Sequence, residues 1–221
     1  MNYEEFEVSP HLKALIKCYW ILEVPSTKNP EKQRIIPDGM IEMAFILADD
    51  IKRYTSDDGN FLIQPRAMLL GQTTKPFYIE PTGEVKTFAI RFYPHALALF
   101  ISTPLKLLAN KEVPLSQVFD KNEVIQLEND IIKARDSERR IEIIENFFSK
   151  KLKSKIVIDK VVDSIIKTLL TNKGDFSFKN KLNNNLAYKR KIERKFQKLV
   201  GITPKTLSKI IRFQHALQSI M

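Results

Sequence analysis

Residues 189–217 read KRKIERKFQKLVGITPKTLSKIIRFQHAL. Ile192, Phe196, Leu199 and Val200 recur at i, i+4, i+7 and i+8, which puts one apolar face on a helix. Arg190, Lys191, Arg194, Lys195 and Lys198 take up the remaining arc, and Lys189 opens the run. Gly201 stands where a helix ends in left-handed backbone, and Thr203-Pro204 is an N-cap followed by proline at the first helical position. The pattern predicts a helix over 189–200, a glycine turn, and a second helix over 204–220 that turns Leu207, Ile210, Ile211, Leu217 and Ile220 inward. Cations on an exposed helix face neutralise phosphates and release counterions, and arginine also reaches guanine O6 and N7 in the major groove. Lys189, Arg190, Lys191, Arg194, Lys195 and Lys198 form the expected DNA-facing set. Within it Arg190, Lys191 and Arg194 suit base or phosphate contact, and Lys195 and Lys198 suit phosphate. A merely solvated lysine-rich helix would carry the same pattern.

The charge distribution points the same way. The 221 residues hold 36 Lys and Arg against 26 Asp and Glu, a net +10. Residues 1–150 carry 19 basic and 22 acidic side chains, a net of −3, and residues 151–221 carry 17 and 4, a net of +13. That asymmetry joins a nearly neutral unit to one that meets a polyanion.

Upstream of the basic segment the chain reads as helices. NEVIQLENDIIKAR (122–135), SERRIEIIENFFSKKL (137–152) and VIDKVVDSIIKTLLTNKG (157–174) have broad apolar faces at helical spacing, with Gly174 as a stop. The stripe over 157–170 suits a core or a dimer interface equally. PHALALFI (94–101) and PLKLLANK (104–111) read as shorter helical pieces. The first hundred residues read as β structure. LIKCYWILEV (15–24), MIEMAFIL (40–47), AMLLGQ (67–72), FYIEP (77–81) and VKTFAIRFY (85–93) are separated by turn chemistry at Pro37-Asp38-Gly39, Asp57-Asp58-Gly59-Asn60 and Pro81-Thr82-Gly83. Short strands at this spacing predict an antiparallel sandwich or barrel.

With these elements in place, IERKFQKLVGITPKTLSKIIRFQHAL (192–217) resembles the first helix-turn-helix of AraC-type transcription regulators. Ile192, Glu193, Arg194, Phe196, Gly201, Thr203, Pro204, Arg212, Phe213 and Ala216 carry the likeness. Tyr188 stands at the family's capping serine before the recognition helix, and the stretch before it reads KNKLNNNLA. VSPHLKALIKCYWILEV, IIPDGMIEMAFIL, GQTT, FAIRFYPHALALF and PLSQVF resemble the sensor-like domain of one branch of the same regulators. The resemblance implies an α+β chain: a cupin-like antiparallel β-barrel over 1–103 for sensing or dimerisation, linking helices over 104–153, and an AraC-type DNA-binding domain over 154–221. The family's domain has two helix-turn-helix units, and this sequence stops at Met221 at the end of the connecting helix, so only the first unit is expected. The implied partners are double-stranded DNA, a small-molecule effector of unknown identity and a second copy of the chain.

Other chemistry is thinly represented. The N-terminus, MNYEEFEVSP, lacks the apolar run of a secretory signal, and no window is apolar enough to span a membrane, so a cytoplasmic protein is expected. One cysteine excludes an internal disulfide, and the scattered His11, His95 and His215 make no metal motif. There is no G-x-S-x-G elbow or phosphate-binding glycine loop, so no catalytic residue, metal or cofactor is expected. A cupin-like enzyme with a basic tail is the remote alternative; a regulator that dimerises or binds an effector without reading DNA is the nearer one. Cys18 reads as core. Trp20, Glu42 and Arg91 are the candidate effector residues, each with a plainer reading: aromatic core packing for Trp20, as for Tyr19, a strand carboxylate facing water for Glu42, and an internal ion pair with Glu42 for Arg91.

Overall fold

The computed structural model describes residues 1–54, 59–152, 158–175 and 186–220. Its architecture is α+β, with antiparallel strands first and helices after. Ten strands are described: β1 (Asn2–Phe6), β2 (Ile16–Val24), β3 (Gln33–Ile35), β4 (Ile41–Ile46), β5 (Ile51–Tyr54), β6 (Phe61–Ile63), β7 (Ala67–Leu70), β8 (Phe77–Pro81), β9 (Val85–Phe92) and β10 (Glu112–Pro114). They make a six-stranded sheet in the order β1-β2-β9-β4-β7-β10 and a four-stranded sheet in the order β3-β8-β5-β6. The strands therefore form two sheets, which agrees with the sandwich form of the antiparallel sandwich or barrel expected from the sequence, and no barrel closes among the described residues. No described pairing joins an edge of one sheet to an edge of the other. β10 carries the first sheet past residue 103, because Val113 pairs with Leu69.

Period-two alternation sorts the large sheet into two faces. Met43, Phe45, Leu69, Phe88, Ile90 and Phe92 pack with helices α1 (Lys121–Lys133) and α2 (Ser137–Lys151) through Val124, Leu127, Ile131, Ile144 and Phe148. Ala44, Ile46, Met68 and Ala89 point the other way and pack with Ile51 of the small sheet. Asp120 and Asp136 cap the two helices, and the buried Arg140 donates to the carbonyls of Ile131 and Ala134 where α1 ends.

Three further helices share a second core: α3 (Lys160–Thr171), α4 (Leu186–Val200) and α5 (Pro204–Gln218). Val162, Ile165, Ile166 and Leu169 of α3 meet Ile192, Phe196 and Val200 of α4 and Leu207, Ile210 and Ile211 of α5. The helix signals sit where their chemistry puts them. Gly201 has φ +98° and Gly174 φ +83°, and the Thr203 hydroxyl accepts from the Thr206 amide at 3.1 Å. Ile220, expected inward, is 82% exposed, because α5 ends at Gln218. Tyr188 lies inside α4 rather than before it. The asparagine run, most of the stretch before the recognition helix, and Asp57 and Asp58 lie outside the described residues. No helix among the described residues is long and apolar enough to cross a membrane.

Candidate functional site

Two surfaces collect the residues singled out in the sequence. The first is the outer face of α4. Its inner face is fixed by Ile192, Phe196 and Val200, each buried in the second core. At a helical step of about 100° per residue, Arg190, Arg194, Lys198, Lys191 and Lys195 fall in that order within an arc of about 140°. All five are exposed. Lys195 is engaged by Asp159, which also caps α3 through the amides of Val161 and Val162. Among the described residues Arg190, Lys191, Arg194 and Lys198 make no ion pair. Lys189 falls on the opposite side of the helix and is half-buried, so the structure separates it from the other five.

The second is a cavity of about 660 Å³ between the sheets, and it brings Trp20, Glu42 and Arg91 together. Register explains the meeting: Glu42 of β4 stands directly opposite Arg91 of β9, and both point away from the helices. The Glu42 carboxylate accepts from Arg91 Nε at 2.8 Å and from Trp20 Nε1 at 3.1 Å. Asp38 and Glu5 each lie 3.7 Å from the same guanidinium. Burial pushes the Glu42 carboxyl above its ordinary range, and the Arg91 charge beside it opposes that shift. The internal pair expected for Arg91 is present, and Glu42 is drawn off the solvent. Tyr19 faces the other way, fully buried, and donates to Glu145 at 3.1 Å. Cys18 is buried, and that burial pushes its thiol up.

A turn connects the cavity to the helices. On one side Asp38 reaches Arg91 and accepts from the Met40 amide at 2.8 Å. On the other, the Pro37 carbonyl accepts from Gln214 of α5 at 2.7 Å, and the Gly39 carbonyl accepts from Gln72 at 2.7 Å. Gly39 has φ +81°, and a Cβ there would stand 2.8 Å from Leu207 Cδ1 of α5. Gly39→Ala therefore introduces left-handed strain of about 1–2 kcal/mol and a contact against α5. Hydrogen exchange is expected to show α5 amides losing about tenfold in protection, with the central strands β4 and β9 unchanged. Equal protection in both proteins contradicts this linkage. Gln72 and Gln214 carried no sequence signal, since their partners are carbonyls distant along the chain.

His95, 7% exposed, is a further contact between the units. Its Nε2 lies 3.6 Å from Asp163 Oδ1 of α3, too far for a hydrogen bond, and neither ring nitrogen has a partner among the described residues. Burial lowers its pKa from 6.5, with Asp163 opposing the shift and Lys167 reinforcing it. Unfolding releases a histidine that binds protons more readily, so its contribution is full above about pH 6.5 and is lost as pH falls through the lowered native value. Protection of α3 amides is expected to drop between about pH 7 and pH 5. A His95→Gln protein with the same pH profile contradicts the assignment.

No group of three or more His, Cys, Asp or Glu among the described residues is placed to hold a metal. A family model described as a domain of unknown function (DUF6597) matches residues 4–114. No curated protein matches the chain. Among solved structures, the chain is similar to ToxT from Vibrio cholerae in its P21 form (TM-score 0.45, 13% identity, 91% of this chain and 83% of that one). It is similar to unsaturated fatty acid bound wild-type ToxT from Vibrio cholerae strain SCE256 (TM-score 0.43, 14% identity, 90% and 79%). It is also similar over a shorter span to cobalt(II) HppE in complex with Tris buffer (TM-score 0.31, 19% identity, 41% and 52%).

Proposed function

We propose that this chain, which belongs to the DUF6597 family through residues 4–114, is a transcription regulator of the AraC type. In this reading residues 154–221 form the DNA-binding part, α4 enters the major groove, and a small molecule in the cavity of the β unit governs how the helices are held. The observation that carries it is the exposed arc of Arg190, Lys191, Arg194 and Lys198, held outward by a buried apolar seam. A helix packed on one side and cationic on the other is what a recognition helix requires. Arg190 and Arg194 lie one turn apart, as needed to follow neighbouring phosphates or base edges. The β unit supports the regulatory half of the reading, because the turn at Pro37–Gly39 touches the Glu42–Arg91 pair on one side and α5 on the other.

Fluorescence anisotropy of the 221-residue protein on its own upstream DNA, with unrelated competitor DNA, tests the proposal. Binding that survives excess competitor near about 150 mM salt supports it. Binding that competitor abolishes, with a steep salt dependence, overturns site reading and leaves a dimerising or effector-binding module. The pairing of two chains follows from the family resemblance and is read by sedimentation in the same buffer.

A further inference from the structure

We propose that the cavity between the sheets takes an apolar cation: an ammonium group carried on a hydrocarbon or aromatic body. The inference rests on reading that cavity as the ligand site. Its walls are hydrocarbon, with Leu22, Ala44, Met68, Leu70, Phe77 and Ile79 among them. Its charged end is not evenly balanced. Among the described residues Arg91 is the one basic side chain of the lining, while Glu31 and Glu42 are acids. Three carboxyl groups surround Arg91: Glu42 accepts from its Nε at 2.8 Å, and Glu5 and Asp38 each stand 3.7 Å away. One guanidinium facing three carboxyl groups leaves this end with more acidic groups than basic ones.

An entering carboxylate would have to share Arg91 with the carboxyl groups already around it, and would face Glu5, Asp38 and Glu42 with one guanidinium among them. An entering ammonium meets the excess of acidic groups with every existing pair intact. The aromatic lining adds to this preference. The Tyr3 and Trp20 rings lie 6.0 Å apart at the same end, tilted by 38°, and Trp20 is oriented by its hydrogen bond to Glu42. The faces of such rings attract cations.

Trp20 is the only tryptophan, so its emission reports on the cavity alone. The full chain would be titrated with n-octylammonium, 1-octanol and octanoate, equal in chain length and different in head charge. Octylammonium is expected to bind about tenfold more tightly than octanol, and octanoate more weakly than octanol. Glu42→Gln should cut octylammonium affinity by about three- to tenfold while moving octanol by less than about twofold. Glu5→Gln, on the exposed edge strand, should give a smaller loss in the same direction and keeps the test open if the Glu42 variant does not fold. Octanoate binding best, or all three binding alike, overturns the cation preference and leaves the ligand cavity standing. No emission change with any of the three overturns both.

Discussion

Phe196→Ala is expected to destabilise the three-helix unit by about 3–5 kcal/mol. Phe196 is fully buried, and its neighbours come from α3 and α5 as well as its own helix. Among the described residues no other side chain in that core has its volume, so truncation removes contacts to every helix and leaves a cavity the short helices close only in part. The core is distinct from the one between the large sheet and α1–α2. The loss should therefore appear in the amide protection of α3, α4 and α5, with the central strands β4 and β9 largely retained. Phe196→Leu keeps most of the volume and should cost less than about 1.5 kcal/mol. An alanine variant that loses less than about 1 kcal/mol would contradict the placement of Phe196 at the centre of the unit.

The triple replacement Arg190→Ala, Arg194→Ala, Lys198→Ala should lower DNA affinity by about a hundred- to a thousandfold. The three side chains lie along one line of α4, are exposed, and make no ion pair among the described residues. Their removal should change thermal stability by less than about 0.5 kcal/mol each. Losing three phosphate contacts should make log K against log salt shallower by about 2.7. The same replacements on a merely solvated face would leave both affinity and slope nearly unchanged. Lys195→Ala should weaken binding less per charge and cost some stability, because Lys195 holds Asp159 at the start of α3.

The helices and the α4 face were readable because their signals are local. Ile192, Phe196 and Val200 repeat at helical spacing, and Gly201 and Thr203-Pro204 announce the turn in adjacent residues. The long strands β2, β4 and β9 were readable as apolar runs between turns. The strands that went unread are short or exposed. NYEEF in β1 is exposed at all but its last residue, and FLI in β6 is exposed throughout, so neither shows a buried face. Without those strands the pattern leaves a sandwich and a barrel both open, and it is the pairing of β3, β5, β6 and β8 with one another that makes a separate sheet.

The cavity was half readable. Arg91 and Glu42 each interrupt an apolar strand, and such charges are costly unless paired, which is how the structure has them. That Asp38 and Glu5 join the same guanidinium depends on a turn and an edge strand, whose positions come from tertiary packing. The link from Pro37 to Gln214 spans 177 residues of sequence and could not be read from either end. Lys195 looked as free as its neighbours because Asp159 approaches it only through the packing of α3 on α4.

The most direct test of the central claim places a cleavage reagent on α4 itself. Ala187 is exposed and, by helical spacing, falls inside the cationic arc without contributing charge. Cys18 is the only cysteine and is buried, so Ala187→Cys gives one reactive thiol for an iron-chelate reagent. With the protein on its upstream DNA, the account predicts strand cuts confined to one or two neighbouring turns of the duplex, and none from the same reagent at Lys17→Cys on the β unit. Equal cutting from both positions, or none from either while binding persists, would contradict the assignment of α4 as the DNA-reading helix.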